Sequence, residues 1–129
     1  MTTQDEVLEA ARRLVDAFGA HDVASYFDGF AADATFVFPN CPAPLESRAE
    51  YEATWQDWEQ DGFRVEGCTS SDPRVQLLTD DVAVFTHRVT TALAGEEAPQ
   101  HERETIVFRR DAAGRWLGVH EHLSPDPTA

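Results

Sequence analysis

Apolar residues recur at helical spacing near the start of the chain. Between residues 7 and 18 they return every three or four positions, directly after Thr3 and Glu6, which have the spacing of a capping box. We therefore predict a first helix that ends at the following glycine. Asp22 is placed to cap a shorter second helix, whose apolar residues run as far as Phe30.

A short strand and a third helix are predicted next. The strand spans residues 34–38 and is ended by Pro39. Ser47 and Glu50 repeat the capping-box spacing and begin a helix that runs up to Gly62. The aromatic residues spaced along one face of this helix are Tyr51, Trp55 and Trp58.

Beyond the third helix the apolar period falls towards two, which is typical of strands. The predicted strands span residues 63–70, 74–78, 82–93, 100–110 and 115–123. Turn-forming residues join neighbouring strands as antiparallel hairpins. Neither face of strand 82–93 is purely polar, so we expect both faces of the sheet to be covered. The economical α+β fold is a curved, cone-shaped, mixed or antiparallel sheet wrapped around three helices, with a second subunit on its convex face.

The composition fits one globular domain. With 129 residues and a hydrophobic fraction of 42%, the chain is long enough for one core. We predict a single domain over residues 1–129, with short flexible ends at residues 1–3 and 126–129. No cationic segment leads into an apolar run and no stretch is long enough to span a bilayer, so we expect a cytoplasmic protein with no membrane partner.

The charge of the chain excludes several functions. Its formal net charge is -14, so nucleic acid is not an expected partner. All ten basic residues are arginine, which excludes Schiff-base chemistry and a Walker-type phosphate loop. We predict no cofactor, and we expect the partner to be a small organic substrate or ligand.

His120 and His122 stand two residues apart on the last predicted strand and therefore point to one face. The pair suits either two ligands of a metal ion, with His87 or His101 as a third, or an imidazole that transfers a proton in a pocket. If the opposite face of the strand lines the pocket, Glu121 is the candidate for proton transfer and the two histidines belong to the dimer interface. One β-bulge would reverse the facing.

Two charged residues stand out in the predicted strands. Glu104 shares a strand face with Ile106, so its carboxylate needs a partner such as Arg88, a histidine or the ligand. Arg88 lies among apolar residues and could hold a substrate carboxylate or stabilise an oxyanion. The structural alternative for both residues is a buried ion pair.

Aromatic residues and one cysteine complete the predicted site. Tyr51 and Trp55 could form a wall for a flat or cyclic ligand, although we expect one or two aromatic residues of the third helix to pack in the core. Cys41 lacks an evident base, which argues against a nucleophilic role. The predicted ligand-binding residues are Tyr51, Trp55, Phe38, Cys41 and Trp116.

Three segments carry a family resemblance: residues 22–39 (DVASYFDGFAADATFVFP), 81–93 (DVAVFTHRVTTAL) and 104–125 (ETIVFRRDAAGRWLGVHEHLSP). Together they resemble the SnoaL-like, nuclear-transport-factor-2-like superfamily, in particular the branch related to the kinase association domain. The resemblance implies a homodimer and a deep pocket between the concave sheet and the helices. The superfamily includes ketosteroid isomerases, cyclases, dehydratases, hydrolases, ligand-binding domains and oligomerisation modules, so the fold alone does not choose the function.

The resemblance also bears on individual residues. In the association-domain branch, an arginine at the position of Arg88 lines the pocket and can receive a carboxylate ligand, whereas a further pocket arginine is Leu123 here. Ketosteroid isomerases pair a tyrosine on the first helix with an aspartate near the end of the first strand. This chain has Val15 and Phe18 on that helix and Phe38, Asn40 and Cys41 near that strand end, so acid/base chemistry must use other residues.

These observations predict an acid/base enzyme that acts next to a carbonyl, of the isomerase, cyclase or dehydratase type. In this hypothesis His122 or His120 shuttles a proton, Glu104 orients the histidine, and Arg88 stabilises the oxyanion. One alternative is a non-catalytic ligand-binding or accessory dimerisation module. The second alternative is a metal-dependent enzyme with histidine ligands.

Overall fold

Side-chain caps define the starts of the first two helices in the computed structural model, which describes residues 1–129. In α1 (Thr3–Gly19) the hydroxyl of Thr2 accepts from the Asp5 backbone N–H, so the capping box begins one residue before the predicted Thr3. Asp22 caps α2 (Val23–Asp28) as predicted. The helix ends before Phe30, which begins the first strand, so the prediction that the helix extends to this residue is wrong.

A third helix and five strands complete the fold, and the helix lies between the first and the second strand in sequence. The helix α3 (Arg48–Gln60) is capped by Ser47 as predicted. The strands are β1 (Phe30–Val37), β2 (Val65–Thr79), β3 (Val82–Leu93), β4 (Gln100–Arg110) and β5 (Trp116–Pro125). The two strands predicted at 63–70 and 74–78 are one strand, because pairing with β3 resumes after a register shift beside Pro73.

The five strands form one curved, unclosed sheet in the order β1-β5-β4-β3-β2. The outer pair β1 and β5 is parallel, and the other three pairs are antiparallel. The helices pack against the sheet over a cluster of 18 buried residues, which includes Trp55, Phe36 and Phe85. The predicted α+β fold, a curved sheet with three helices, is confirmed. No helix is both long enough and apolar enough to cross a membrane.

A β-bulge in β5 decides which side chains of this strand face the helices. His120 pairs with Val107 and Gly118 pairs with Phe108, so the residue between them in β5 has no partner of its own. The facing is therefore reversed along the strand: Gly118 is buried on the inner side, and three positions later Glu121 is buried there as well. The bulge brings a carboxyl group to the inner face and leaves the neighbouring histidines on the other.

Gly118 allows β5 to approach a core ring, which gives a first prediction. A Cβ at this position would lie 2.7 Å from Cδ1 of Phe30, whose side chain is fully buried. Gly118→Ala is therefore expected to lower the free energy of unfolding by about 1–3 kcal/mol. Urea denaturation measures this loss. Gly67→Ala is the matched control, since nothing lies within 4 Å of its added Cβ, and the prediction fails if both variants keep wild-type stability.

Candidate active site

A cavity of about 850 Å³ lies between the helices and the inner face of the sheet. Its aromatic wall is formed by residues of all three helices and of the loops beside them. The members of this wall are Phe18, Tyr26, Phe38, Tyr51, Trp58 and Phe63. Its strand side carries polar groups, namely Cys68, Thr91, Glu102, Glu104 and Glu121. Two basic residues, Arg64 and His101, also line it, and both are exposed. The cavity therefore combines an apolar wall with three carboxyl groups on its strand side.

Two tyrosines and a glutamate form a buried polar cluster in the cavity. The hydroxyls of Tyr26, from α2, and Tyr51, from α3, are 2.9 Å apart, and the Tyr26 hydroxyl lies 3.5 Å from both carboxyl oxygens of Glu121. Burial, followed by the charge of Glu104, raises the pKa of the 3% exposed Glu121 well above its usual range. Burial also raises the pKa of both tyrosines, so all three groups favour their protonated forms.

Glu104 stands next to this cluster on the inner face of β4. The backbone of Ile106 is paired with that of Glu121, and Glu104 is paired with Leu123, so the two glutamates are diagonal neighbours across adjacent strands. Oε1 of Glu104 lies 2.6 Å from Nε2 of His87, and the other ring nitrogen of His87 lies 2.6 Å from Oγ of Ser70. The Glu104 side chain is 13% exposed, and it lines the cavity.

The third carboxyl, Glu102, gives a prediction about pH. Burial, followed by the charge of Glu104, raises the pKa of Glu102 from 4.5 to about 7. A carboxyl that binds its proton more tightly in the folded chain stabilises the fold below about pH 4.5, and this contribution is lost as the pH rises through about 7. The free energy of unfolding is therefore expected to fall across this window, and less steeply in Glu102→Gln. Urea denaturation at a series of pH values measures both slopes, and equal slopes would contradict the assignment.

The residues predicted to carry the chemistry are divided between the two faces of the sheet. Arg88 lies outside the cavity: its side chain is 47% exposed and pairs with Asp72 and Asp126, because the opposite face of β3 is the buried one. The expectation that Arg88 lines the pocket is therefore not met. His120 and His122 also point away from the cavity, as a result of the bulge in β5.

The outward histidines have their own surroundings. His120 is half-buried, and its Nδ1 lies 2.8 Å from Oγ1 of Thr35 on the neighbouring strand. Burial, followed by the nearby His122, lowers the pKa of His120, while His122 itself is exposed. No three histidine, cysteine, aspartate or glutamate side chains are grouped so as to hold a metal ion. The sequence left open whether the two histidines or Glu121 of the last strand line the pocket. In the structure Glu121 lines it.

The predicted ligand-binding residues are also divided. Tyr51 and Phe38 line the cavity. Trp55 is buried in the core among other rings, and Trp116 is buried beyond the bulge, beneath the guanidinium of Arg110. Cys41 is half-buried outside the cavity lining, and burial raises the pKa of its thiol. Three of the five residues thus lie outside the cavity. For Trp55 the reason is that helical spacing does not show which aromatic residue faces a space and which faces another ring.

Two cavity residues were not proposed as site residues from the sequence. Tyr26 was counted only among the apolar residues of a short helix, although a buried tyrosine hydroxyl usually has a polar partner. Glu102 has no role in the predicted site, although it lies two residues before Glu104 and therefore on the same strand face. Alternation along β4 would have placed both glutamates together.

Comparisons with known proteins agree with this architecture. A family model described as a SnoaL-like domain matches residues 7–128. No curated protein matches the chain. The solved structures similar to this one include a ketosteroid isomerase-like protein from Erwinia carotovora atroseptica SCRI1043, with 17% identity, a TM-score of 0.82 and coverage of 94% of each chain.

Two further solved structures show the same likeness. ActVI-ORFA from Streptomyces coelicolor is 23% identical with a TM-score of 0.74, over 95% of this chain and 96% of that chain. A protein described as a calcium/calmodulin-dependent protein kinase II association domain, from Xanthomonas campestris, is 21% identical with a TM-score of 0.76, over 96% of this chain and 88% of that chain. At these identities the likeness shows the fold alone.

Proposed function

Because this chain belongs to the SnoaL-like domain family, we propose that its cavity is the active site of a cofactor-independent acid/base enzyme. The reaction takes place next to a carbonyl group and is of the isomerase, cyclase or dehydratase type. The observation that carries the proposal is the buried cluster of Tyr26, Tyr51 and Glu121 beside a fourth group, Glu104, in one largely apolar cavity.

The tyrosine pair is suited to stabilise an oxyanion. In the proposed state Glu121 is protonated and Tyr26 donates to Tyr51 across their 2.9 Å contact, which leaves the proton of the Tyr51 hydroxyl for a substrate oxygen. Hydrogen-bond donors held in a site that excludes water stabilise the negative charge that develops on a carbonyl oxygen. The high pKa of Glu121 is useful here, because an ionised carboxylate at this position would oppose that charge.

Glu104 is suited to move the proton. One of its oxygens is held by His87, which leaves the other to face the cavity. In the proposed reaction Glu104 takes a proton from the carbon next to the carbonyl, electrons move onto the oxygen held by Tyr51, and the proton is returned to the substrate at a different atom. Neighbouring carboxyl groups thus have two roles, set by their different surroundings.

The charge of the cavity limits the substrate to neutral or cationic molecules. Glu104 faces the cavity, Asp61 and Glu96 also line it, and its two basic residues are exposed. A carboxylate ligand would meet like charges in a partly desolvated space. The carboxylate ligand that the resemblance allowed for Arg88 is therefore not proposed. The aromatic wall favours a flat or cyclic molecule.

Deuterium incorporation tests the proposal without knowledge of the natural substrate. The protein is incubated in D2O with cyclic ketones that are neutral, cationic or anionic but otherwise alike, and mass spectrometry follows the carbon next to the carbonyl. We expect exchange that depends on the protein for at least one neutral or cationic ketone. If ketones bind, as measured by calorimetry, but none exchanges, the chain is a ligand-binding module and the catalytic proposal is wrong.

We further propose that the chain forms a homodimer through the outer face of the sheet. The half-buried apolar residues Val84 and Val107 lie on this face, next to His120. Sedimentation equilibrium is expected to give twice the 14.4 kDa mass of one chain. Val84→Glu and Val107→Glu together are expected to give the single-chain mass, whereas a wild-type protein of single-chain mass would contradict the proposal.

A further inference from the structure

We propose that Glu104, His87 and Ser70 form a proton relay that connects the cavity to solvent at the edge of the sheet. The inference rests on the proposed function, in which Glu104 exchanges a proton with the substrate. It adds a route by which Glu104 exchanges that proton with water. The three residues lie on the adjacent strands β4, β3 and β2.

The geometry provides a continuous chain of hydrogen bonds. Nε2 of His87 lies 2.6 Å from the Glu104 carboxyl and Nδ1 lies 2.6 Å from the Ser70 hydroxyl, so both ring nitrogens are engaged at once. The His87 side chain is 0% exposed, so it meets no solvent itself. Ser70, in contrast, is exposed on β2, the strand at the edge of the sheet. One end of the chain thus faces the cavity and the other end faces water.

A proton can pass along this chain from water to Glu104. Ser70 is unchanged afterwards, and His87 changes only its tautomer. Water gives a proton to Oγ of Ser70 as the Ser70 proton moves to Nδ1 of His87. The proton on Nε2 then leaves for the Glu104 carboxylate. One O–H bond is broken in the water donor and one is formed on Glu104, and the reverse sequence returns the proton to solvent.

The position of the cavity indicates which end reacts. Glu104 lines the cavity, whereas neither His87 nor Ser70 does, so the arrangement is not that of a serine nucleophile at a substrate site. A ligand that fills the cavity displaces water from the Glu104 carboxyl. The relay through the sheet then remains open, because its outer end lies at the sheet edge. Glu102 and Glu121 also lie near Glu104, but the hydrogen-bond partners of the His87 ring are Ser70 and Glu104.

Nitrogen-15 NMR of the histidine rings in the full chain tests the relay without any substrate. Glu104→Gln imitates a protonated Glu104, because its amide can donate to Nε2 of His87. We expect the His87 proton to be on Nε2 in the wild-type protein and on Nδ1 in Glu104→Gln. The same tautomer in both proteins would overturn the proposal, because His87 would then not respond to the protonation of Glu104.

The outer half of the relay is tested by exchange of the His87 ring proton with water in the Glu104→Gln background. Adding Ser70→Ala is expected to slow this exchange by about tenfold or more. Without the Ser70 hydroxyl, the buried ring proton exchanges only when the surrounding strands open locally. Adding Ser70→Thr, which restores a hydroxyl, should restore the rate, and Ser71→Ala is the control on the same strand. Unchanged exchange after Ser70→Ala would overturn the relay. A relay confirmed by NMR in a protein that binds ketones but exchanges none would leave the relay standing and contradict the proposed function.

Discussion

Glu104→Gln is expected to lower the rate of ketone deuterium exchange by about 10²- to 10⁴-fold, which is the range of a lost general base. The amide has nearly the shape of the carboxylate but does not accept a proton from carbon. Because the cavity wall is unchanged, we expect ketone affinity, measured by calorimetry, to stay within about tenfold. A fall in exchange without a matching fall in affinity would identify Glu104 as the group that moves the proton.

Glu66→Gln is the matched control for Glu104. Glu66 is an exposed glutamate on β2, and it does not line the cavity. The same substitution there should leave the exchange rate at the wild-type value. Wild-type exchange by Glu104→Gln would remove Glu104 from the mechanism. A fall that is equal in both variants would show that the effect does not arise in the cavity.

The second large effect is expected for Tyr51→Phe. This change removes the hydroxyl proposed to donate to the substrate oxygen and retains the ring, which packs against Phe36 and Phe27. The loss of one oxyanion donor is expected to lower the exchange rate by about 10²- to 10³-fold. Deuterium incorporation measures the rate, and thermal unfolding checks that the variant is folded.

The pair of tyrosines offers an internal comparison for this result. Tyr26→Phe also breaks the 2.9 Å contact between the hydroxyls, but it leaves the Tyr51 hydroxyl in the cavity. Its exchange rate should therefore fall less than that of Tyr51→Phe. The reverse order would show that Tyr26, and not Tyr51, faces the substrate oxygen.

Much of the fold could be predicted because its signals are local. Strands 82–93 and 100–110 have the predicted bounds, since alternation and turn residues define a hairpin without reference to the rest of the chain. The start of β1 at Phe30 could not be predicted from such local signals. This residue continues the helical spacing of α2, and only its position beside β5 makes it part of a strand.

The site was harder to predict than the fold because it depends on which way side chains face. Both faces of β3 mix apolar and polar residues, so the sequence does not show that the Arg88 face is the outer one. In β5 the bulge beside His120 reverses the facing within one strand. Gly118 is the local signal next to it, but a glycine in a strand also marks a close approach to a neighbouring group, which Gly118 makes with Phe30, so it does not by itself separate a bulged strand from a regular one. Two alternative facings of the last strand could be predicted from the sequence, and one of them places Glu121 at the cavity in place of the histidines.

The central claim is that one buried carboxyl, Glu121, is kept protonated next to the tyrosine pair. Infrared difference spectroscopy at pH 7, comparing the wild-type protein with Glu121→Gln, tests it most directly. We predict a band of a protonated carboxyl that is present in the wild-type protein and absent from the variant, because burial raises the pKa of this group. A difference spectrum that shows only the loss of carboxylate bands would mean that Glu121 is ionised, and it would contradict the account.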